Sequence, residues 1–379
     1  MRRLLNAAAL AVLMPSIVAA QGSQFGVRGL GHPGRETSIR SLATGGSFAP
    51  MDELSVLNPA AIGALGTFTA TFTTQQDFRT IENALGSNNV RTVRFPLVTL
   101  GGPIRRSKFA VGLSLATYLN RDYSLATQDT LSIRGAVVPV FDTLVSQGGV
   151  SDFRFATSYR FTPRGSIGLG LHLLSGSTRN EFRRTFFDTS FVSGRQRAEL
   201  SYQAFGLSVG VVQQLTSKFV VAGSARYDTP LKINLDSTRV SQTALPVTLN
   251  GGFKYRVAKG LDVAASGTYR TWSKADADLV AQGAPGAVST IEGAAGLELA
   301  TGRNAFSKPL RAGIRYASLP FYVTTGAQAH EIAGSLGTGQ FFGNSRASVD
   351  LALEYLRRSD GTGRRESSLV VSAGISVRP

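Results

Sequence analysis

The feature that most restricts this chain is a period-two alternation of apolar with small or polar residues, repeated in long stretches. Residues 366–378 show it most clearly, because Leu369, Val371 and Ile375 share one face while Ser372, Gly374 and other small or polar residues lie between them. Successive side chains of a strand point to opposite faces, so this period predicts β-strands. Strands of soluble sandwiches usually have about five or six residues. Many of these stretches reach ten or more, near the 9–11 residues that a tilted strand needs to cross a bilayer.

The alternation predicts fourteen strands and two classes of connection. The predicted strands are residues 67–77, 90–100, 108–119, 150–161, 166–177, 198–214, 218–229, 246–257, 260–272, 289–300, 308–318, 329–337, 345–357 and 366–378. Connections after the even-numbered strands are short, whereas those after the odd-numbered strands are mostly longer and more polar. Outer-membrane barrels have an even strand number, short periplasmic turns and longer external loops. We therefore expect an all-β fold, a transmembrane antiparallel β-barrel with fourteen strands over residues 66–379.

Two irregularities stand out in the predicted wall. Pro96 interrupts the second strand, because proline cannot donate a ladder hydrogen bond. The sixth strand changes face between Tyr202 and Phe205, which predicts a bulge.

Aromatic residues near the strand ends favour a membrane setting, where they form girdles at both interfaces. The alternative is that aromatic residues simply favour strands. The predicted girdle residues are Phe161, Tyr227, Tyr255, Tyr269, Trp272, Tyr316 and Tyr355.

The first residues are typical of a secretory signal peptide. Arg2 and Arg3 precede an apolar run that ends at the small residues Val18-Ala19-Ala20. We assign residues 1–20 to a cleaved signal peptide; the alternative, a membrane anchor, needs about 20 apolar residues. The expected location is the bacterial outer membrane.

Residues 21–65 lack the strand alternation. They contain Gly-rich turns and one predicted short helix, for which Asn58 provides the cap, Pro59 the first turn and Gly63 the stop. A fourteen-stranded barrel is wide enough that wall side chains alone need not fill it. We therefore expect this segment to fold back into the lumen as a plug; the alternative is a disordered periplasmic tail.

The stretch "SIRSLATGGSFAPMDELSVLNPAAIGAL" resembles the N-terminal hatch of the FadL/TodX-type outer-membrane transporters. The residues that match the hatch pattern are Gly45, Gly46, Phe48, Asp52, Asn58, Pro59 and Ala60. Two stretches near the C-terminus also resemble late strands of that family. Ala61 departs from the pattern, which has glycine there, and Pro379 stands where many such barrels end in an aromatic residue. The resemblance implies a hatch-gated barrel that passes hydrophobic molecules such as long-chain fatty acids, with Gly45, Gly46, Phe48, Asn58, Pro59 and Ala60 as gating residues.

Charged residues on the inward faces of the predicted strands are mostly basic. By parity they are Arg94, Arg154, Arg160, Arg226, Lys254, Arg256, Arg270, Arg311, Arg315 and Arg378, against Asp262, Asp350 and Glu354. A basic lumen suits a carboxylate head group on an apolar tail, so we predict Arg226, Lys254, Arg311 and Arg315 as ligand-binding residues. The alternative is that these cations pair with hatch carboxylates such as Asp52 and Glu53.

No set of residues typical of catalysis or metal binding is evident. The chain has no cysteine, and its three histidines follow no metal-ligand spacing. His172 and His330 are interpreted as polar barrel residues, because no Ser/Asp pattern accompanies them. We predict no enzyme activity, no cofactor and no metal. The net charge of +16 is scattered rather than clustered, which disfavours nucleic acid as a partner.

The sequence thus predicts passive outer-membrane transport of hydrophobic molecules. The alternative is a FadL-like barrel that acts as a binding or shuttle component of a secretion system, or as a structural outer-membrane protein. Expected partners are the hydrophobic ligand, outer-membrane lipid, lipopolysaccharide and, during biogenesis, the barrel assembly machinery. The arginines expected to meet lipopolysaccharide phosphates from external loops are Arg179, Arg183, Arg184, Arg195 and Arg197.

Overall fold

A computed structural model describes residues 22–84, 86–133, 135–188, 190–301, 308–343 and 346–378 of the chain. The predicted signal peptide over residues 1–20 and Pro379 lie outside the described residues. None of the helices in these ranges is long and apolar enough to span a membrane.

The described residues form long strands and a few short helices. The strands are β1 (His32–Pro33), β2 (Thr69–Asn83), β3 (Gly86–Arg94), β4 (Leu97–Pro103), β5 (Phe109–Asn120), β6 (Tyr123–Ile133), β7 (Ala136–Thr162), β8 (Gly165–Phe186), β9 (Gly194–Gln214), β10 (Phe219–Asp228), β11 (Leu231–Leu235), β12 (Thr238–Thr243), β13 (Thr248–Ala258), β14 (Leu261–Arg270), β15 (Thr290–Thr301), β16 (Lys308–Ser318), β17 (His330–Phe342), β18 (Ala347–Ser359) and β19 (Arg365–Val377). The α-helices are α1 (Ile39–Leu42) and α2 (Asp276–Ala281), and 3-10 helices span Gln24–Gly26, Pro59–Ala64 and Trp272–Ala275.

Fourteen wall strands close a barrel within the described part of the chain, which confirms the predicted fold. In order around the wall they are β2, the broken pair β3 and β4, β5, β7, β8, β9, β10 and β13 to β19. The wall closes where β19 pairs antiparallel with β2, from Val377 opposite Ala70 to Arg365 opposite Glu82.

The two faces of the wall differ as the alternation predicts. On β8, Ile167, Leu169, Leu171 and Leu173 point outward and are 38–52% exposed, whereas Leu174 is fully buried. A continuous apolar outer surface on a closed barrel is the surface that faces lipid. The chain is therefore a membrane-spanning barrel.

The predicted girdle is exposed with one exception. Phe161, Tyr227, Tyr255, Tyr269, Tyr316 and Tyr355 are exposed on the outer surface. The prediction for Trp272 is wrong, because β14 ends at Arg270 and the next residues form a 3-10 helix instead of continuing the strand. The indole is only 2% exposed and packs edge-on against Phe321 with ring centres 5.0 Å apart.

The two predicted wall irregularities have different outcomes. The break at Pro96 is confirmed, because β3 ends at Arg94 and β4 begins at Leu97. The prediction of a bulge in the sixth strand is wrong, because Tyr202 faces inward and Phe205 outward within an uninterrupted ladder. Gly176 lies opposite Tyr202, and Leu173 lies opposite Phe205.

The two ends of the barrel are built differently. At one end, the short-turn end, brief connections such as 163–164 and 259–260 join neighbouring strands. At the other, the long-loop end, an apolar core covers the lumen, with Leu30, Leu245, Trp272, Leu279 and Phe321 among its buried members.

Part of the wall rises above the long-loop end as a projecting sheet. It consists of β6, residues 136–149 of β7, 178–186 of β8 and 194–200 of β9. The sequence analysis assigned residues 120–149 and 178–197 to loops, and this is wrong for most of them, because Leu125 opposite Leu144 and Leu144 opposite Phe182 continue the ladder. The five arginines expected in external loops lie on these strands.

Residues 22–65, hereafter the N-terminal segment, pack against the inward-facing side of the wall. The 3-10 helix Pro59–Ala64 contacts β4, β5, β7, β8 and β9, while α1 contacts β17, β18 and β19. The predicted short helix is thus present as a 3-10 helix capped by Asn58. The hatch function of the segment, and the division of the chain at residues 20 and 65, stay predictions.

Candidate functional site in the barrel lumen

The Asn58-Pro59-Ala60 stretch is joined to the wall by hydrogen bonds. The Asn58 side chain accepts from the Ala60 amide at 3.0 Å and donates to the Val211 carbonyl at 3.1 Å. The Ala60 carbonyl accepts from the wall hydroxyls of Ser158 (3.2 Å) and Ser166 (3.0 Å). One end of the segment is therefore fixed to three wall strands.

The Gly45-Gly46 turn fits into a gap in the wall surface. Both residues have positive φ (+71° and +98°), which favours glycine. A β-carbon at Gly296 or Gly313 of the wall would lie 2.4 Å or 2.0 Å from the backbone of Thr44, so only glycine allows this approach. Phe48, the third predicted gating residue of this stretch, is buried.

Asp52 organises the segment from within. Its carboxylate accepts hydrogen bonds from the hydroxyls of Ser38, Ser41 (2.6 Å) and Ser55 (2.8 Å). Glu53 lies 3.9 Å from Arg40 of the segment. Among the described residues, neither carboxylate forms an ion pair with a wall arginine.

The predicted ligand-binding cations lie in separate ion-pair clusters. Arg226 contacts Glu36 at 3.0 Å, Asp152 at 2.7 Å and Asp228 at 2.9 Å.

The other three predicted cations also have carboxylate neighbours. Arg311 contacts Glu298 and Asp350, Arg315 contacts Glu331 and Glu354, and Lys254 lies 4.0 Å from Asp262. The structure does not gather these four cations into one site.

The expectation of a mostly basic lumen is wrong, because several inward carboxylates were overlooked. Those that pair with lumen cations include Glu36, Asp77, Asp152, Asp228, Glu292, Glu298, Glu331 and Glu366. The parity that placed Arg154 inward also places Asp152 inward, so this signal was present in the sequence. Glu36 does not lie in a predicted strand, so the alternation could not show which way its side chain points.

A cavity of about 120 Å³ lies between the N-terminal segment and the wall. Its lining includes His32 of the segment and Arg79, Arg94, Arg315 and Trp272. Each of these five has a buried side-chain nitrogen without a hydrogen-bond partner among the described residues. Buried donors of this kind require an acceptor, so the cavity suits water or an anionic group.

His32 stays neutral at this cavity. Burial lowers the pKa of its imidazole well below the usual value, and nearby Arg358 lowers it further, while Glu331 opposes both.

The Thr73 hydroxyl bridges the wall at the Pro96 break. β2 pairs with β3 as far as Gln75 opposite Arg94, and with β4 from Phe72 opposite Val98. Between these pairs, Thr73 Oγ1 donates to the Leu97 carbonyl at 2.8 Å and accepts from its amide at 3.1 Å.

The outer surface beside the break carries an apolar hollow of about 520 Å³. It is lined mainly by outward-facing side chains, including Val98, Leu100, Leu113, Leu115, Phe153, Phe155, Leu171, Leu173 and Phe205. Pro96 and Arg94 line the 120 Å³ cavity on the inside. The hollow thus begins at Val98, just after the break, and extends away from it to β9, while the polar cavity reaches Pro96 from the lumen side.

His172 has partners that the sequence analysis did not find. Its ring contacts Asp152 on one side and Ser208 on the other. His330, by contrast, is exposed and its Nδ1 lies 2.8 Å from the Tyr316 hydroxyl. Among the residues with described positions, no three His, Cys, Asp or Glu side chains come together as a metal site.

Solved structures share this fold at low sequence identity. A Pseudomonas aeruginosa FadL homologue matches with a TM-score of 0.61 and 14% identity, over 92% of this chain and 99% of that chain. The CymD monoaromatic hydrocarbon channel matches with a TM-score of 0.58 and 15% identity, over 91% and 98%. The toluene transporter TodX of P. putida gives 0.57 and 15%, over 91% and 99%. The predicted resemblance to FadL/TodX-type barrels is confirmed for the fold.

Comparison by sequence gives a family. No curated protein matches the chain. A family model described as BamG matches residues 1–276, which is more than half of the chain, and the chain therefore belongs to the BamG family.

Proposed function

We propose that this protein is a bacterial outer-membrane channel that passes hydrophobic molecules passively through the wall break at Pro96. The observation that carries the proposal is that an outer apolar hollow, which begins at Val98, and an inner polar cavity, which reaches Pro96, both lie close to this break. The structural relatives described as hydrocarbon channels and toluene transporters support the same class of function.

The chemistry at the break suits an amphipathic acid. An apolar tail would lie in the hollow, among side chains such as Leu115 and Phe153. A carboxylate would reach Arg94, which has no ion-pair partner among the described residues. Guanidinium groups bind carboxylates with strong, charge-assisted hydrogen bonds. A long-chain fatty acid is the simplest ligand of this kind.

Passage requires the N-terminal segment to move. The segment fills the lumen beneath the cavity, with Ala60 bonded to Ser158 and Ser166 and α1 packed against β19. In this proposal the ligand displaces the segment, which acts as the hatch, and the molecule leaves through the lumen.

An engineered disulfide tests the requirement for movement. A β-carbon placed at Gly374 would lie 3.3 Å from the Ile39 β-carbon, close to the distance of about 3.5–4.5 Å found in disulfides. The chain has no cysteine, so I39C/G374C would form a single defined tether between α1 and β19. Uptake of labelled oleate into cells should fall to background when the tether is oxidised and recover on reduction. The single-cysteine variants are the controls, and absence of uptake in the wild type would overturn the proposal.

A second candidate function is favoured by the sealed long-loop end. The apolar core around Trp272 and Phe321 covers the lumen, and the projecting sheet exposes Val137 and Phe187 at its tips. A sealed barrel with exposed apolar external residues suits a binding or shuttle component of a secretion system, or a structural outer-membrane protein. Oleate uptake that is absent from a correctly folded wild type would favour this candidate.

Lipopolysaccharide is the proposed partner of the projecting sheet. Four arginines of this sheet lie at odd-numbered positions, as the outward-facing residues of the same strands do, and their side chains are 45–64% exposed. They are Arg179, Arg183, Arg195 and Arg197. They pair with Glu181 and Glu199, which leaves an excess of positive charge. Arginine binds phosphate groups well, and this surface lies directly above the lipid-facing wall.

A further inference from the structure

We propose that Asp152, His172 and Ser208 form a serine-hydrolase triad in the lumen that acts on esters of apolar acids. His172 Nδ1 lies 2.8 Å from Asp152 Oδ2, and His172 Nε2 lies 2.8 Å from Ser208 Oγ. This is the arrangement in which a serine acts as nucleophile, a histidine as base and an aspartate as the group that orients the histidine. A triad is recognised by this geometry and not by sequence order, which explains why no sequence motif revealed it.

Three neighbouring wall strands bring the groups together. Asp152, His172 and Ser208 lie on β7, β8 and β9, where Gly170 is opposite Ser208 and Gly206 is opposite His172. A β-carbon at Gly170 would lie 2.4 Å from Ser208 Oγ, and one at Gly206 would lie 3.2 Å from the His172 β-carbon. The two glycines therefore leave the space in which the imidazole contacts both partners.

The surroundings fix the orientation of the imidazole. Asp152 is fully buried and also accepts a hydrogen bond from Arg226 at 2.7 Å, which favours its ionised form. The carboxylate therefore accepts from Nδ1–H of His172. Nε2 then carries the lone pair and accepts the proton of the Ser208 hydroxyl.

Arg154 provides a donor for the oxyanion. It lies opposite His172 in the β7–β8 ladder and is 4% exposed. Its Nε has no hydrogen-bond partner among the described residues. A β-carbon built at Gly170 would lie 2.4 Å from Ser208 Oγ and 3.5 Å from Arg154 Cδ, the carbon bonded to Nε. The Arg154 side chain therefore lies beside the Ser208 hydroxyl. The guanidinium is held by a hydrogen bond from Nη1 to the Val56 carbonyl, and its remaining Nε–H can stabilise the negative charge that develops on a carbonyl oxygen.

The N-terminal segment covers the triad in this structure. Ser208 and His172 line a cavity of about 40 Å³ whose other lining residues include Glu36, Val56 and Leu57 of the segment. This volume is too small for an acyl chain, so the segment must shift before substrate binds. Tyr118 and Trp272 form the aromatic part of the lining, beside Arg226 and Arg270, and an apolar acyl group would contact these two rings.

The reaction balances without a cofactor. Ser208 Oγ forms a bond to the ester carbonyl carbon while its proton passes to His172 Nε2. The C–O bond to the alcohol then breaks, and the alcohol leaves with that proton. Water hydrolyses the acyl-serine by the same steps, which releases the carboxylic acid and restores Ser208.

The test uses an alkyl fluorophosphonate probe on the purified full-length protein in detergent. The probe phosphonylates an activated serine and releases fluoride. Wild type and E36Q are labelled, digested and analysed by mass spectrometry, because E36Q loosens the segment at Arg226. Ser224 is the internal control, since it lines the same cavity and donates to the Leu57 carbonyl without belonging to the triad.

We expect an adduct on Ser208 and none on Ser224, with faster labelling in E36Q. H172Q should slow labelling by roughly a hundredfold or more, the usual contribution of a general base. S208A should not label. The proposal is overturned if Ser208 of folded wild type and E36Q reacts no faster than Ser224, or if H172Q labels at the wild-type rate. Oleate transport is not measured here, so its failure would leave this result unaffected.

Discussion

Thr73 Oγ1 lies 2.8 Å from the carbonyl oxygen and 3.1 Å from the amide nitrogen of Leu97, and these two contacts join the wall across the break at Pro96. Thr73 is fully buried. A side-chain hydroxyl thus takes the place of backbone hydrogen bonds at the position where the pairing partner of β2 changes from β3 to β4. The rings of Phe72 and Phe95 also contact each other across the break, with centres 5.4 Å apart. Side-chain contacts thus stand in for backbone hydrogen bonds here, which makes the break a position where the wall can open.

We expect T73V to weaken this part of the wall. Valine keeps the shape but leaves the Leu97 amide and carbonyl unpaired, at a cost of about 1–3 kcal/mol. If the break is the entry route, oleate uptake should rise several-fold, and the temperature at which the barrel unfolds in a gel-shift assay should fall. T71V is the matched control, because the Thr71 hydroxyl contacts Ser376 and not the break. Uptake that is equal in T73V and wild type would exclude this route.

The wall was predictable from sequence because the alternation within each strand shows which residues face lipid and which face the lumen. The alternation along β8 or β19 needs no tertiary information, since lipid selects apolar side chains on one face. Pro96 predicted the break, since proline cannot donate a hydrogen bond to the ladder. The projecting sheet was missed because charged residues such as Arg183 and Glu181 occupy outward positions there that are apolar in the rest of the wall.

The lumen was less predictable, because its chemistry depends on register. Parity shows that Asp152, His172 and Ser208 face inward, but not that they are neighbours across β7, β8 and β9. That relation requires the pairing of each strand with the next. The partners of Arg226 likewise include Glu36, whose position is set by the path of the N-terminal segment and not by any strand period.

Replacing Glu36 should loosen the N-terminal segment without unfolding the barrel. Glu36 is the carboxylate through which the segment contacts Arg226, at 3.0 Å, while Asp152 and Asp228 still pair with that arginine. A hydrogen bond to a charged group contributes roughly 1.5–3 kcal/mol. E36Q should therefore increase hydrogen exchange in residues 22–65 by roughly tenfold or more, with wall strands unchanged. E53Q is the control, because Glu53 is 24% exposed and 3.9 Å from Arg40, and equal exchange in both variants would contradict the prediction.

Acidification should also loosen the segment through His32. Burial lowers the pKa of the folded-state imidazole well below 6.5, so the unfolded segment binds the proton more readily than the folded one. The contribution of His32 to stability is then fully present above about pH 6.5 and is lost as the pH falls below it. Burial raises the pKa of Glu36, which has the opposite effect on stability.

The comparison of wild type with H32Q separates these two effects. Protection of residues 22–65, corrected for the intrinsic pH dependence of amide exchange, should fall in wild type as the pH is lowered from 7.5 to 5.5. This fall should be smaller in H32Q, because only Glu36 and other carboxylates then titrate. A pH dependence that is identical in the two proteins would show that His32 does not control the segment.

The arginines on the outer face of the projecting sheet should retain lipopolysaccharide. Arg179 and Arg197 are 64% and 58% exposed, on the face continuous with the lipid-facing wall, whereas Arg184 lies on the opposite face and pairs with Asp142 at 2.6 Å. Exposed ion pairs contribute little individually, so we expect R179Q/R197Q to reduce the lipopolysaccharide that copurifies with the barrel by roughly two- to fivefold. R184Q should leave it unchanged. Because both changes remove arginine from the same sheet, a similar loss in R184Q would indicate a general effect of charge and not a binding face.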